Sequence, residues 1–100
     1  MIVEYIRYRV PADRAGELIA AYATAAEILV ADERCLAYEV TRGVEEPDRV
    51  VVRIEWTSLT DHLEGFRRSP DFPGFFAAVR PFFGDIEEMK HYEVQQDHRR

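Results

Sequence analysis

In the run VVVRIEWTSLTDHLEGFRRSPDF, spanning Val50–Phe72, His62 lies between the only tryptophan, Trp56, and the phenyl ring of Phe66. An imidazole titrates near neutrality, so His62 can take a proton from a phenol or an enol. An indole and a phenyl ring beside it offer flat apolar walls that orient an aromatic ring. The chemistry this suits is ionisation of an aromatic phenol or enol. Packing explains the same residues more plainly. A strand-end tryptophan is ordinary core, and a helix histidine can simply rest on Phe66. Tyr8, Tyr22 and Tyr38 can hydrogen-bond a phenol or quinone oxygen, or fill a small core. Phe72, Phe75, Phe76, Phe82 and Phe83 can cap an aryl ligand, with Phe76 placed on the pocket; core or interface packing is the alternative. Of the other histidines, His91 is expected on the opposite sheet face and His98 in the tail. No two histidines and a carboxylate stand at metal-ligand spacing, so no metal site is expected. A phosphate loop, a serine nucleophile elbow and a dinucleotide fingerprint are all missing.

These side chains need elements to hold them. Ile2–Val10 is β-branched and tyrosine-rich, which suits a strand, and Pro11 ends it. Leu18, Ile19, Tyr22, Ala26 and Leu29 recur at helical spacing to about Val30, with Asp13 as the expected cap. Cys35–Arg42 alternates, and a turn-forming Gly43–Asp48 joins it to Arg49–Trp56 as a hairpin. Ser58 with Asp61 fits a capping pattern that opens a helix to about Phe66, with Leu59, His62, Leu63 and Phe66 facing inward. Pro70 and Pro73 break it, a helical period resumes to Pro81, and Asp85–Val94 reads as a last strand. The order β-α-β-β-α-β predicts an α+β, ferredoxin-like domain over 1–95: a four-stranded antiparallel sheet with helices on one face and a polar tail at 96–100.

The uncovered sheet face is expected to carry Val3, Tyr5, Arg7 and Arg9, with Val51, Arg53 and Glu55, and with Glu39, Glu87, Met89, His91 and Glu93 beside them. Arginine forks, carboxylates and aromatic stems suit a face-to-face homodimer in which Arg7 and Arg53 meet Glu39, Glu55 or Glu93. A water-facing amphipathic sheet is the alternative.

Composition limits the partners. A net charge of −6 and twelve scattered arginines against one lysine argue against nucleic acid or an anionic membrane. Cys35 is alone, so there is no disulfide framework. Without a basic-then-apolar leader or a spanning apolar run, the expectation is a cytoplasmic protein.

The opening IVEYIRYRVPAD, the strand CLAYEVTRG and the Trp56 segment together resemble the antibiotic biosynthesis monooxygenase (ABM) superfamily of dimeric α/β barrels, over Ile2 to about Val94. The resemblance implies one pocket per subunit between helices and sheet, with Ile6, Tyr8, Tyr22, Tyr38, Phe66 and Phe76 around it and Trp56 and His62 as catalytic candidates. It further implies a cofactor-independent monooxygenase acting on a small aromatic quinol or anthrone. A non-catalytic dimer that binds a small apolar ligand is the alternative, supported by Ile6, Val52, Ile54, Leu36 and Phe66, which offer no chemistry. Haem degradation comes third. Its branch carries asparagine where this chain has Ile6, and many relatives carry histidine where it has Phe66.

Overall fold

A computed structural model describes all 100 residues. Its elements run β1 (Ile2–Arg9), α1 (Ala12–Ala31), β2 (Cys35–Arg42), β3 (Arg49–Trp56), a π turn (Asp61–Phe66), α2 (Phe72–Val79), a 3-10 turn (Arg80–Asp85) and β4 (Ile86–Glu93). The strands form one antiparallel sheet in the order β2-β3-β1-β4. This is the ferredoxin-like α+β arrangement expected from the sequence.

Alternation along β1 and β3 sets the two sheet faces. Ile6, Tyr8, Val50, Val52, Ile54 and Trp56 are buried on the helix side, where Leu18, Tyr22, Ala25 and Leu29 of α1 meet them. Fully burying each Leu or Ile there contributes roughly 1.5–3 kcal/mol. Helix α1 begins at Ala12, one residue before Asp13, because the amides of Arg14 and Ala15 donate to the Pro11 carbonyl. Asp13 makes no capping hydrogen bond, contrary to expectation, but sits in the first turn, where its charge favours the helix dipole.

The strand-to-helix corner after Trp56 is capped as expected: the Asp61 amide donates to Ser58 Oγ at 2.9 Å. The following turn is wider than a helix. The Arg67 amide reaches back five residues to the His62 carbonyl at 3.0 Å, the mark of a π turn. That closure brings His62, Phe66 and Arg67 to one side, while Leu59 stays exposed and Leu63 half-buried. The inward face is therefore narrower than the sequence pattern suggests.

The expected outer face of β4 needs correcting. Tyr8 pairs with Ile86 but Arg7 with Glu88, so Glu87 is an extra residue in a β-bulge. Glu87 faces outward to Arg9 and Arg49, and so does Glu88, which meets Arg7 at 3.2 Å. Two successive outward residues reverse the alternation beyond them. Met89 and His91 consequently turn to the helix side, opposite Ile6 and Glu4, and Glu93 falls opposite Ile2 instead of beside Arg7. Arg7 and Arg53 have carboxylate partners within the chain, since Arg53 meets Glu55 at 2.6 Å.

Candidate functional site

A cavity of about 400 Å³ lies between the helix-side face of the sheet and the segment from the π turn to β4. Thirteen of its sixteen lining residues are apolar or tyrosine, so its three strongly polar members, Glu4, His62 and Arg67, decide its chemistry. Ile6, Tyr8, Tyr22, Trp56, His62, Phe66 and Phe76, all site candidates from the sequence, line it. Tyr38 does not: on edge strand β2 it is 39% exposed and outside the cavity.

Trp56 and His62 come together as a stack, ring centroids 4.2 Å apart and planes 11° from parallel, with Phe66 5.1 Å from the indole. The stack leaves both edges of the imidazole free to bond. His62 Nδ1 shares a 2.6 Å hydrogen bond with His91 Nε2, and His62 Nε2 lies 3.5 Å from Glu4 Oε1. Burial first, then the charges of Arg67 and His91, push the His62 pKa down to about 3, so the ring is neutral at pH 7. A neutral imidazole with such a low pKa is a weak general base.

Glu4 is another ionisable group at this end of the cavity. Its carboxylate is 3% exposed on the cavity floor, accepts a 3.2 Å hydrogen bond from Trp56 Nε1, and has Arg67 Nη2 3.8 Å from its other oxygen. Burial pushes its pKa up to about 7, against the downward pull of the Trp56 bond and the Arg67 charge. A carboxyl poised there is half-ionised at neutral pH and suited to accept a proton. The sequence signal for Glu4 was a charge in phase with Ile6 and Tyr8 on a strand face that must be buried. His91 had no comparable signal, because the bulge that turns it inward is not marked by glycine or proline. Arg67 depended on the π turn.

Two residues beyond Ile6, the other end of the β1 floor carries Tyr8, roughly 13 Å from Glu4 at strand rise. Its hydroxyl bonds that of Tyr22 at 2.7 Å. Burial raises the Tyr8 pKa to about 12 and drives that of Tyr22 up as well, so both stay neutral phenols able to donate and accept. The cavity is thus an apolar slot with an ionisable end at Glu4 and Arg67 and a neutral hydroxyl pair at the other.

Glu4, His62 and His91 each offer a metal-ligating atom within 4.8 Å of the others, a grouping that corrects the sequence reading of scattered histidines. His62 sits between its two neighbours and uses a different nitrogen toward each. At 2.6 Å its contact with His91 is a hydrogen bond, shorter than the roughly 3.3 Å between two donors on one tetrahedral zinc.

Comparison with known proteins bears on the fold and the family. Over 73 residues the chain is 26% identical to the uncharacterised protein YczJ of Bacillus subtilis, covering 73% of this chain and 77% of that one. A candidate antibiotic biosynthesis monooxygenase from Bordetella bronchiseptica superposes with a TM-score of 0.82 at 23% identity, covering 95% and 97% of the two chains. SnoaB, a cofactor-independent oxygenase from Streptomyces nogalater solved as a point variant, gives 0.74 at 18% identity over 96% and 94%. At these identities the structures share the fold. The sequence model of the antibiotic biosynthesis monooxygenases matches residues 1–78, and the chain belongs to that family.

Proposed function

We propose that this protein is a cofactor-independent monooxygenase that oxidises a small, flat aromatic quinol or anthrone with dioxygen. The observation that carries the reading is the buried Glu4 carboxylate, with a pKa near 7, facing an apolar cavity beside the Arg67 guanidinium. A 400 Å³ slot is within the size range of small-molecule sites, and its aromatic walls hold a ring edge toward Glu4. Glu4 takes the substrate proton, and the positive charge of Arg67 stabilises the anion left behind. Because the negative charge moves from carboxylate to substrate, the net charge of the cavity is unchanged and no new charge is buried. An unperturbed phenol near pKa 10 facing a carboxyl near 7 makes the transfer uphill by roughly 4 kcal/mol. Arg67 and the Tyr8–Tyr22 hydroxyls are placed to offset part of that.

The anion then gives one electron to dioxygen, and the two radicals combine at the activated carbon to give a peroxide. Loss of the remaining hydrogen on that carbon cleaves the O–O bond. The CH2 group becomes C=O, and the second oxygen atom leaves as water. Dioxygen is the only oxidant, and no reductant is consumed. Trp56, buried and hydrogen-bonded to Glu4, shapes the pocket wall and fixes the carboxylate, while His62 holds the indole face.

A homodimer through the outer sheet face is part of the same proposal. Tyr92, exposed on that face, packs edge-on against Tyr5, and Arg7 lies over the Tyr5 ring. Arg7, Arg53 and Glu55 would then meet the partner as ready-made ion pairs. Sedimentation at micromolar concentration is expected to give twice 11.7 kDa, and a monomer would rule the dimer out.

The reaction is tested by incubating the protein with a panel of dihydroxynaphthalenes and anthrones under 18O2 and weighing the products. One labelled oxygen per product, above the enzyme-free rate, is expected. Absence of enzyme-dependent incorporation across the panel favours the non-catalytic ligand-binding alternative.

A further inference from the structure

The monooxygenase reading leaves two groups unused: His91, and the nitrogen of His62 that faces it. Both lie on a continuous line from the cavity to water. Glu4 is buried, His62 is buried behind it, and His91 is half-buried on β4 directly across the sheet from Glu4. The second nitrogen of His91 makes no protein hydrogen bond, yet no buried polar atom is left unpaired, so that nitrogen is open to solvent. Burial disfavours protonation of either imidazole, and the charge of Arg67, which faces Glu4 from the end of the π turn, adds to it. Both rings therefore remain neutral, each with one N–H and one lone pair, which is the state that passes a proton by tautomer exchange.

The geometry points to a proton relay, Glu4 to His62 to His91 to water, with His91 as the exit that returns Glu4 to its ionised form during turnover. This rests on the proposed reaction, in which the base acts twice. It removes one proton to form the anion and a second from the carbon bearing the peroxide. Between the two steps Glu4 must lose the first proton, and a substrate filling the apolar slot keeps bulk water away. In the relay, protonated Glu4 gives its proton to His62 Nε2, and His62 Nδ1–H passes its own to His91 Nε2. The far nitrogen of His91 then releases a proton to solvent. One proton leaves this way per turnover; a proton returning from solvent along the same chain restores both tautomers and protonates the peroxide. The departing hydroxide takes the second carbon proton from Glu4 and leaves as water, so the sum is unchanged. The 3.5 Å gap between Glu4 and His62 is the link that must shorten, as catalytic hydrogen bonds commonly do once substrate is bound.

Two measurements test the relay separately from the reaction. In 15N-labelled wild type without substrate, long-range nitrogen–proton spectra should show both rings neutral at pH 7 and coupled across the Nδ1–Nε2 bond. Uncoupled imidazoles that titrate independently near 6.5 overturn the relay whatever the activity. In turnover, His91→Ala and His91→Gln should each lower kcat at least tenfold with little change in KM, and acquire a solvent deuterium isotope effect. Added imidazole should restore the alanine variant. Glutamine can keep the hydrogen bond to His62 but cannot shuttle a proton, so full activity in His91→Gln assigns His91 a structural role and ends the proposal. Coupled rings in a protein that oxidises none of the substrates remove the reaction, and with it the purpose of the relay.

Discussion

Replacing Glu4 by Gln changes one charge on the cavity floor and keeps an oxygen to accept the Trp56 hydrogen bond. In the folded protein the Glu4 carboxyl titrates near 7, against 4.5 for an ordinary glutamate. Below pH 4.5 it is protonated in both folded and unfolded chains and burial imposes no charge penalty. As pH rises from 4.5 to 7 the unfolded chain ionises first, and folding stability is lost; above 7 the loss is constant. About 2.5 units at roughly 1.36 kcal/mol each gives a penalty of about 3 kcal/mol. Wild type alone would hide this. His62, depressed from 6.5 to about 3, loses stability as pH falls through the same window and so opposes it. Glu4→Gln keeps His62, so the difference between the two proteins isolates Glu4. Urea denaturation of both at pH 4 and pH 8 should show the variant gaining about 3 kcal/mol relative to wild type at the higher pH. For a domain of this size that is a relative shift of roughly 10–20 °C in Tm. A stability difference that stays flat across the window would mean that Glu4 carries no buried charge, and the assignment of the base would fail.

Other substitutions probe the surroundings of the site. His62→Gln should remove the acid limb of the stability profile, in which wild type loses up to about 1.4 kcal/mol per pH unit between 6.5 and 3; denaturation along that range reads it. Tyr8→Phe leaves the buried Tyr22 hydroxyl without its partner and should cost about 1–3 kcal/mol, and adding Tyr22→Phe should cost less than the two single changes summed. Gly43→Ala drives a methyl into the Glu46 carbonyl in the β2–β3 turn and should cost about 1–3 kcal/mol by thermal unfolding, without affecting ligand binding in the cavity.

The sequence made the frame legible because alternation and helical period are local signals. β2 and β3 end where the pattern of Cys35–Arg42 and Arg49–Trp56 ends, and Ser58 caps the corner it was expected to cap. Trp56, Phe66, Tyr8 and Tyr22 were placed on the pocket by the family resemblance, which the local pattern of strand and helix faces does not oppose. The chemistry was harder to read, because it depends on two local departures from regular structure. The bulge at Glu87 reverses the rest of β4 and brings His91 in, and the π turn carries Arg67 to Glu4. No glycine or proline marks the bulge, and Gly65 within the π turn does not distinguish it from an ordinary helical turn. Glu4 was missed, although its charge stands in phase with Ile6 and Tyr8; an isolated strand glutamate gives no reason to expect a pKa near 7.

The most direct test of Glu4 as the base is oxygen uptake with a dihydroxynaphthalene or anthrone as a function of pH, corrected for autoxidation. Wild-type kcat/KM should rise with pH through a single ionisation near 7. Glu4→Gln should lose at least a hundredfold in rate and the ionisation with it. Uptake by Glu4→Gln at the wild-type rate, or a wild-type profile with the same inflection in the variant, would contradict it.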